Sequence, residues 1–193
     1  MLKIYKNFNL SKIHKKSILL IGNFDGLHLG HQKLFKLAEK YSKKHKVKFG
    51  VLTFDPLPVM FFNKKLTNYR ITSNLQKNLL FEKAGVDFVI VSRFNKSFSK
   101  ISADNFIKKI IVKKINPNFI FVSNNFKYGF RRAGNVAKLI SKENIYNYKI
   151  IKPSPLKKGK KIISSTLIRK LLQRGELKNA NKLLGRNWSI IGV

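Results

Sequence analysis

Cysteine is absent from the 193 residues of the chain, and acidic residues are scarce. Without cysteine there can be no disulfide bond and no thiolate metal site, which is compatible with a cytoplasmic location. No apolar run in the sequence reaches the roughly 20 residues that a membrane-spanning helix needs. Charges interrupt the apolar residues at the start of the sequence, so no secretory signal peptide is predicted. We therefore expect a cytoplasmic protein with no membrane partner.

Basic residues far outnumber acidic ones: 41 Lys and Arg against 8 Asp and Glu give a formal net charge of +33. Such a charge attracts nucleic acid at low salt. The basic residues are spread along the whole chain and are mostly lysine, which binds phosphate as a point charge rather than in a bidentate contact. We interpret the excess as a solvated lysine surface and expect only nonspecific binding of nucleic acid. A dedicated basic nucleic-acid-binding module remains the alternative.

Apolar runs and amphipathic segments alternate along the chain. Strands are predicted at residues 17–22, 47–54, 87–92, 118–122 and 145–151, and helices at 30–44, 73–84, 105–113, 135–141, 165–174 and 176–184. The apolar segment 56–62 and the Lys/Pro/Gly-rich segment 152–161 are predicted as loops. Repeated βα units predict an α/β fold, a Rossmann-like parallel sheet with helices on both faces, and the length suits one such domain.

The most informative segment of the sequence is GNFDGLHLGHQ, which occupies residues 22–32 between a strand and a helix. His28 and His31 are three residues apart where the helix begins, so both imidazoles lie on one face. Gly30 between them has no Cβ, which allows a group to approach the backbone closely. The N-terminus of a helix attracts anions. This pattern predicts a phosphate site at the carboxyl edge of the sheet.

Two other interpretations of the histidine pair stay open. Histidine is a common metal ligand, but the chain has no cysteine and the only acidic residue near the pair is Asp25, so no metal ligand set is assigned. Alternatively, His28 is a turn residue and His31 a helix residue, and neither binds a ligand.

Residues 22–32 resemble the HxGH signature of the nucleotidylyltransferase superfamily. In its longer form the segment resembles the N-terminal FMN adenylyltransferase (FAD synthetase) domain of bacterial bifunctional riboflavin kinases. Further segments agree in the order of that family: TFDPLP at 53–58, GVD at 85–87, NFKYG at 125–129 followed by Arg131, and ISSTLIR at 163–169. The sequence departs from the family where Asp55 replaces Glu, Leu57 replaces His and Leu167 replaces a frequent Arg. HxGH alone is weakly specific, whereas the ordered set is strongly specific.

The resemblance implies transfer of AMP from ATP to FMN, which yields FAD and pyrophosphate and requires Mg²⁺ to neutralise phosphate charge. It implies catalytic roles for His28, His31 and Arg169, with a cationic imidazole favoured by the bound anion. The implied ATP and phosphate contacts are Gly22, Phe24, Asp25, Gly30, Ser164, Ser165 and Thr166. The implied FMN contacts are Phe54, Asp55, Pro56, Asn125, Phe126, Tyr128 and Arg131, and Phe62 offers further aromatic surface.

The segment LLGRNWSIIGV at residues 183–193 resembles the junction that leads into the riboflavin kinase domain of the family. The resemblance divides the chain into an FMN adenylyltransferase domain at 1–185 and the start of a truncated riboflavin kinase domain at 186–193, where an apolar strand begins. A full-length relative would also phosphorylate riboflavin to FMN, whereas the kinase domain is missing here. Two further alternatives are an HxGH enzyme for another phosphorylated acceptor and an inactive remnant that only binds nucleotide.

Overall fold

The apolar segments of the sequence form the strands of a central sheet. The computed structural model describes residues 1–159 and 161–191. Its strands are β1 (Lys3–Tyr5), β2 (Ile18–Ile21), β3 (Phe49–Asp55), β4 (Phe88–Arg93), β5 (Phe119–Phe121), β6 (Lys127–Tyr128), β7 (Gly134–Asn135), β8 (Lys149–Ile151), β9 (Lys157–Lys158) and β10 (Lys161–Ile162). The main sheet has the order β1-β4-β3-β2-β5-β8 with every pairing parallel, which confirms the predicted sheet.

The helices lie between these strands and after the last of them. They are α1 (Leu29–His45), α2 (Pro58–Phe62), α3 (Asn74–Lys83), α4 (Lys96–Ser99), α5 (Ala103–Asn105), α6 (Val136–Ile140), α7 (Glu143–Tyr146), α8 (Ser165–Gln173) and α9 (Leu177–Leu184). Helix α5 continues into a π-helix over Phe106–Ile115, and Lys12–His14 and Phe130–Arg132 form 3₁₀ turns. Across the described part of the chain, no helix combines the length and apolar character needed to cross a bilayer.

Both faces of the sheet are covered by helices, as the uninterrupted apolar runs predict for buried parallel strands. Ile18 and Leu20 of β2 pack in one buried cluster with Phe35 of α1. Leu19 and Ile21, which point to the opposite face, pack in a second cluster with the π-helix. The sheet is therefore the middle layer of three.

Strand order reverses at β2, which lies between β3 and β5. In a parallel sheet, the loops at the carboxyl ends of the strands beside such a reversal diverge and leave a crevice where ligands bind. The loop after β2 carries residues 22–28, and the segment after β5 carries Asn125. The topology thus directs both motifs to one edge of the sheet.

Helices α8 and α9 form a pair outside these layers, which packs against the start of α1. Their apolar residues join a third cluster whose members are Ile71, Ile163, Ile168, Ala180, Leu183 and Leu184. Leu29, the first residue of α1, and Trp188 pack against that cluster. This packing brings the ISSTLIR segment next to the HxGH turn.

Several predicted elements differ from the structure. The strand predicted at 145–151 begins only at Lys149, because α7 occupies the preceding residues and ends where Asn147 adopts a left-handed φ of 53°. The loop predicted at 56–62 contains α2, which begins at Pro58, where the fixed φ of proline suits a first helical residue.

Other differences concern short segments, among them α4 and the β6–β7 pair, where no element was predicted. The loop predicted at 152–161 contains β9 and the first residue of β10, which pair as an antiparallel hairpin. Strand β1 was not predicted, because no apolar run marks it, and it pairs with β4 at the edge of the sheet. The apolar strand expected to begin near the end of the sequence is not formed at residues 187–191, and Gly192 and Val193 lie outside the described residues.

Candidate functional site

The turn between β2 and α1 folds one aromatic ring back over the end of the strand. Phe24 adopts a left-handed φ of 48°, and its ring is buried. A Cβ on Gly22 would lie 3.0 Å from that ring, so glycine leaves room for it. The Phe24 ring contacts His31 edge-on, with 5.2 Å between ring centroids. Gly22 and Phe24 therefore support the histidine pair from the strand side.

The two imidazoles of the HxGH motif stack on each other. The His28 and His31 ring centroids are 3.7 Å apart with an interplanar angle of 19°. His28 caps α1, because its Nδ1 accepts a hydrogen bond from the His31 backbone N–H at 3.3 Å. A Cβ on Gly30 would lie 3.1 Å from the His28 ring. The group that approaches the backbone at Gly30 is thus the neighbouring imidazole.

Burial opposes a positive charge on either ring. Burial, with smaller contributions from the guanidinium groups of Arg169 and Arg186, lowers the pKa of His28 to about 4. Burial also lowers the pKa of His31 well below its usual value, and His28 adds to that effect. Because Nδ1 of His28 accepts a hydrogen bond, the neutral ring carries its proton on Nε2. Without a bound anion, the pair therefore offers ring N–H donors at neutral pH, and the cationic imidazole that a bound anion would favour stays a prediction.

A buried carboxylate connects the HxGH turn to two distant segments. The side chain of Asp25 accepts hydrogen bonds from the backbone N–H groups of Ile71 and Thr72 and from Nη1 of Arg169, the last at 2.8 Å. Its backbone carbonyl accepts from Oγ of Ser165 at 2.8 Å. Protein donors thus occupy the Asp25 carboxylate, an arrangement that favours a positioning role over direct contact with phosphate.

The N-termini of two helices converge beside the histidine pair. Ser164 caps α8 by accepting a hydrogen bond from the Leu167 N–H at 3.2 Å. The Ile163 carbonyl would lie 3.5 Å from a Cβ on Gly30, which places the start of α8 against the start of α1. Thr166 is exposed in the first turn of α8. Unpaired backbone N–H groups of both helices are therefore close to the imidazoles.

Arg169 brings a positive charge to the same place. It lies one turn into α8, and its guanidinium stacks 4.0 Å from the ring centroid of Tyr69. The ion pair with Asp25 uses one Nη1 hydrogen and leaves the other N–H groups of the guanidinium for a ligand. Of the predicted phosphate-site residues, the structure thus brings His28, His31, Asp25, Ser165 and Arg169 together.

The residues predicted at the end of β3 divide between core and surface. Phe54 is buried and packs on Phe94 and Phe98. The half-exposed Asp55 carboxylate pairs with Arg70, and the peptide bond between Asp55 and Pro56 is cis. In the helix that follows, Phe62 is 71% exposed and offers an open aromatic face.

The residues predicted after β5 form a group of their own. Asn125 is exposed, and its amide oxygen accepts a hydrogen bond from Ser123. Phe126 stacks on the buried Tyr128, with 5.5 Å between ring centroids, and burial raises the pKa of Tyr128. Arg131 is exposed above the ring of Phe130.

Sequence reasoning missed two basic residues of the site. Lys77 of α3 is 3% exposed, and its ammonium donates to Oγ1 of Thr53 at 3.3 Å. Arg186, which the sequence analysis assigned to the next domain, donates from Nη2 to the Gly26 carbonyl at 2.8 Å. Lysine is normally exposed, so no local pattern marks Lys77. The scarcity of arginine was the available clue for Arg186.

Metal-ligating side chains do not cluster at this site. Among residues 1–159 and 161–191, no group of three or more His, Cys, Asp or Glu side chains is placed to hold a metal ion.

Comparison with known proteins decides the family. The family model for FAD synthetase matches residues 10–167, which include the HxGH turn and most of the ISSTLIR segment. The chain belongs to the FAD synthetase family. A Buchnera aphidicola protein named bifunctional riboflavin kinase/FMN adenylyltransferase is 42% identical over 185 residues, and the Escherichia coli protein of that name is 32% identical. Each alignment covers 95% of this chain but only 59% of the relative.

Solved structures show the same fold for this member of the FAD synthetase family. A Streptococcus pneumoniae structure described as a macrolide-efflux protein matches 97% of the chain and 62% of its own, with a TM-score of 0.84 and 25% identity. Pantoate–β-alanine ligase from Francisella tularensis, complexed with an ATP analogue and β-alanine, matches 96% of the chain and 78% of its own, with a TM-score of 0.56 and 19% identity. The latter likeness concerns the fold alone.

Proposed function

We propose that this chain transfers AMP from ATP to FMN, giving FAD and pyrophosphate. The observation that carries the proposal is the stacked pair of His28 and His31 at two converging helix N-termini, in a chain of the FAD synthetase family. The relatives named above carry FMN adenylyltransferase activity in their names. The chemistry needs no protein nucleophile, because a phosphate oxygen of FMN can itself attack the α-phosphorus.

In the proposed reaction, a bond forms between an FMN phosphate oxygen and the α-phosphorus of ATP. The bond from that phosphorus to the oxygen bridging to the β-phosphorus breaks, and pyrophosphate leaves with the electron pair. Ring N–H groups of His28 and His31 would donate to the phosphate oxygens, and Arg169 would clamp the leaving pyrophosphate. The protein thus contributes orientation and electrostatic stabilisation.

The remaining phosphate-site predictions follow from this arrangement. The backbone and hydroxyl groups of Ser164, Ser165 and Thr166 would cradle the β- and γ-phosphates at the start of α8. Gly22, Phe24, Asp25 and Gly30 would act by shaping the turn that holds the histidines. Mg²⁺ is proposed to bind through the ATP phosphates, where it neutralises their charge.

FMN is proposed to bind across the ends of β3 and β5. Phe54, Asp55 and Pro56 would border one side of the flavin, and the exposed Phe62 lies in the helix that follows them. Asn125, Phe126, Tyr128 and Arg131 would border the other side. The amide of Asn125 both donates and accepts, and Arg131 would meet the FMN phosphate.

The relatives are named for two activities, and this chain spans 59% of the length of those two relatives. We assign adenylyl transfer to residues 1–185 together with the segment that follows them, whose Arg186 binds the HxGH turn. Riboflavin kinase activity is proposed to belong to the part of the relatives that this chain does not match. A cytoplasmic location stays a prediction.

The test is to incubate the chain with FMN, ATP and Mg²⁺ and to separate the flavins by chromatography. We expect FAD and pyrophosphate from the wild type and a loss of about a hundredfold in His28→Ala, since the variant removes a phosphate donor. His45→Ala is the matched control, because His45 is an exposed residue at the other end of α1. Absence of FAD from the wild type would contradict the proposal, and faster transfer to a pyridine mononucleotide or pantetheine phosphate would favour another acceptor.

A further inference from the structure

The segment that follows α9 returns to the HxGH turn and binds its backbone. Arg186 donates from Nη2 to the Gly26 carbonyl at 2.8 Å and from Nη1 to the Leu27 carbonyl at 3.5 Å. These two carbonyls immediately precede His28. Gln32 of α1 links the same parts, donating to the carbonyls of Leu27 at 2.9 Å and Leu184 at 2.8 Å. The end of α9 is thus hydrogen-bonded to the turn that carries His28.

Trp188, in the same segment, contacts Ile71, which is a hydrogen-bond partner of Asp25. Nε1 of Trp188 donates to the Ile71 carbonyl at 3.0 Å, while the Ile71 N–H donates to the Asp25 carboxylate at 3.0 Å. Ile71 is therefore held from both sides. The Ser189 carbonyl accepts from Nε2 of Gln76 at 2.8 Å, which ties the same segment to α3.

Arg186 also adds positive charge close to His28. Its guanidinium lowers the pKa of the His28 imidazole, as that of Arg169 does. The Arg186 side chain is half-buried, and burial lowers its pKa. Its charge is therefore less screened than that of a surface lysine. Arg186 therefore acts on the turn by hydrogen bonds and on the imidazole by its charge.

We infer that Arg186 is a positioning residue for adenylyl transfer, holding the Gly26 and Leu27 carbonyls so that His28 faces the phosphates of ATP. Trp188 braces the opposite side of the turn through Ile71 and Asp25. This inference rests on the proposed function, and nothing in the family comparison assigns it. A displacement of the turn by about 1 Å would be enough to slow the reaction, because catalysis depends on the alignment of the reacting groups.

Steady-state kinetics of three variants test the inference. We expect Arg186→Gln to lower kcat by roughly ten- to a hundredfold, while KM for FMN stays within about twofold of the wild type. Arg186→Lys keeps the charge but lacks the two-pronged donor, and should recover only part of that loss. Arg174→Gln is the matched control, because Arg174 is an exposed arginine at the end of α8, and it should match the wild type.

Trp188→Phe provides a milder variant that keeps the ring but removes the donor to Ile71. We expect Trp188→Phe to lower kcat severalfold. Thermal unfolding shows which variants fold, and Trp188→Phe carries the test if Arg186→Gln does not. The His28 ring proton, followed by NMR, should titrate at higher pH in Arg186→Gln than in Arg174→Gln. Equal kcat for Arg186→Gln and Arg174→Gln, or an unchanged kcat in Trp188→Phe if Arg186→Gln does not fold, would overturn the inference.

Binding of a nonhydrolysable ATP analogue, measured by calorimetry, separates this inference from the proposed function. A wild type that binds the analogue without forming FAD contradicts the proposed function alone. In that case, weaker binding of the analogue by Arg186→Gln than by Arg174→Gln supports the positioning role, and equal binding overturns it. A wild type that neither binds the analogue nor forms FAD overturns both.

Discussion

Asp25 shows how a single side chain organises the candidate site. Its carboxylate joins the HxGH turn to Ile71 and to Arg169, and its carbonyl joins the turn to Ser165. The family resemblance placed Asp25 among the implied phosphate contacts. It could not identify the partners, because they lie 46 and 144 residues away in sequence and only the tertiary fold brings them together.

Lys77 is the residue for which the structure makes the clearest pH prediction. Burial, with a smaller contribution from the positive charge of Arg70, lowers the pKa of Lys77 to about 8, although Asp25 and Asp55 oppose the shift. Below about pH 8 the buried ammonium of Lys77 is charged in the folded protein, and its burial lowers the free energy of unfolding by the full amount. Between that pH and the unfolded value of 10.5, the folded protein releases its proton first, so stability rises with pH.

The prediction is that the free energy of unfolding of the wild type, minus that of Lys77→Met, increases by about 3 kcal/mol across this interval. Urea unfolding at several pH values measures the difference, in which the other titrating groups largely cancel. Lys83→Met is the control, because Lys83 is an exposed lysine at the end of the same helix. A flat difference for Lys77→Met would show that its ammonium is solvated.

At the scale of elements, the loop after β5 depends on one glycine. Gly129 has a φ of +74°, and a Cβ there would lie 2.6 Å from the backbone nitrogen of Ala103. The Phe130 N–H donates to the Ile101 carbonyl beside this contact. The glycine of the NFKYG segment therefore lets the loop pack directly on the start of α5.

We expect Gly129→Ala to lower the free energy of unfolding by about 3 kcal/mol, because the left-handed backbone penalty adds to a backbone clash. Gly175→Ala should cost only about 1 kcal/mol, since Gly175 has a similar φ of +72° but no atom within 4 Å of the added Cβ. Chemical denaturation compares the two variants. Equal losses would mean that the loop moves away from Ala103 without cost.

The alternation of elements could be predicted from the sequence, whereas some boundaries could not. The helix predicted at 73–84 is confirmed. It could be predicted because its start is marked by a local feature, the capping box that Ser73 and Gln76 form. The strand predicted at 145–151 is wrong over its first four residues. Apolar residues such as Ile145 and Tyr146 suit a strand or a helix, and here they belong to α7, which ends at the left-handed turn at Asn147. Strand β1 was missed because its pairing with β4 is entirely nonlocal.

At the scale of the whole molecule, the net charge of +33 is the dominant feature. Among the residues that the structure describes, six of the eight acidic side chains have a basic partner within 4 Å. With only eight carboxylates for 41 basic side chains, most of the basic side chains have none to pair with. We expect binding to a random DNA duplex that weakens steeply with salt and is lost by about 0.15 M, as for nonspecific phosphate contacts. Fluorescence anisotropy in a salt series measures it. Tight, sequence-dependent binding at higher salt would instead support the nucleic-acid-binding alternative.

The two ends of the site are also far apart in time during synthesis. The HxGH turn leaves the ribosome early, but Ser165, Arg169 and Arg186, which hold it, follow about 140 to 160 residues later. Chains are made N-terminus first and contacts between distant segments form last. A growing chain therefore contains both histidines long before it can bind a nucleotide. We expect affinity for ATP to appear abruptly when α8 and the segment after α9 pack against the HxGH turn.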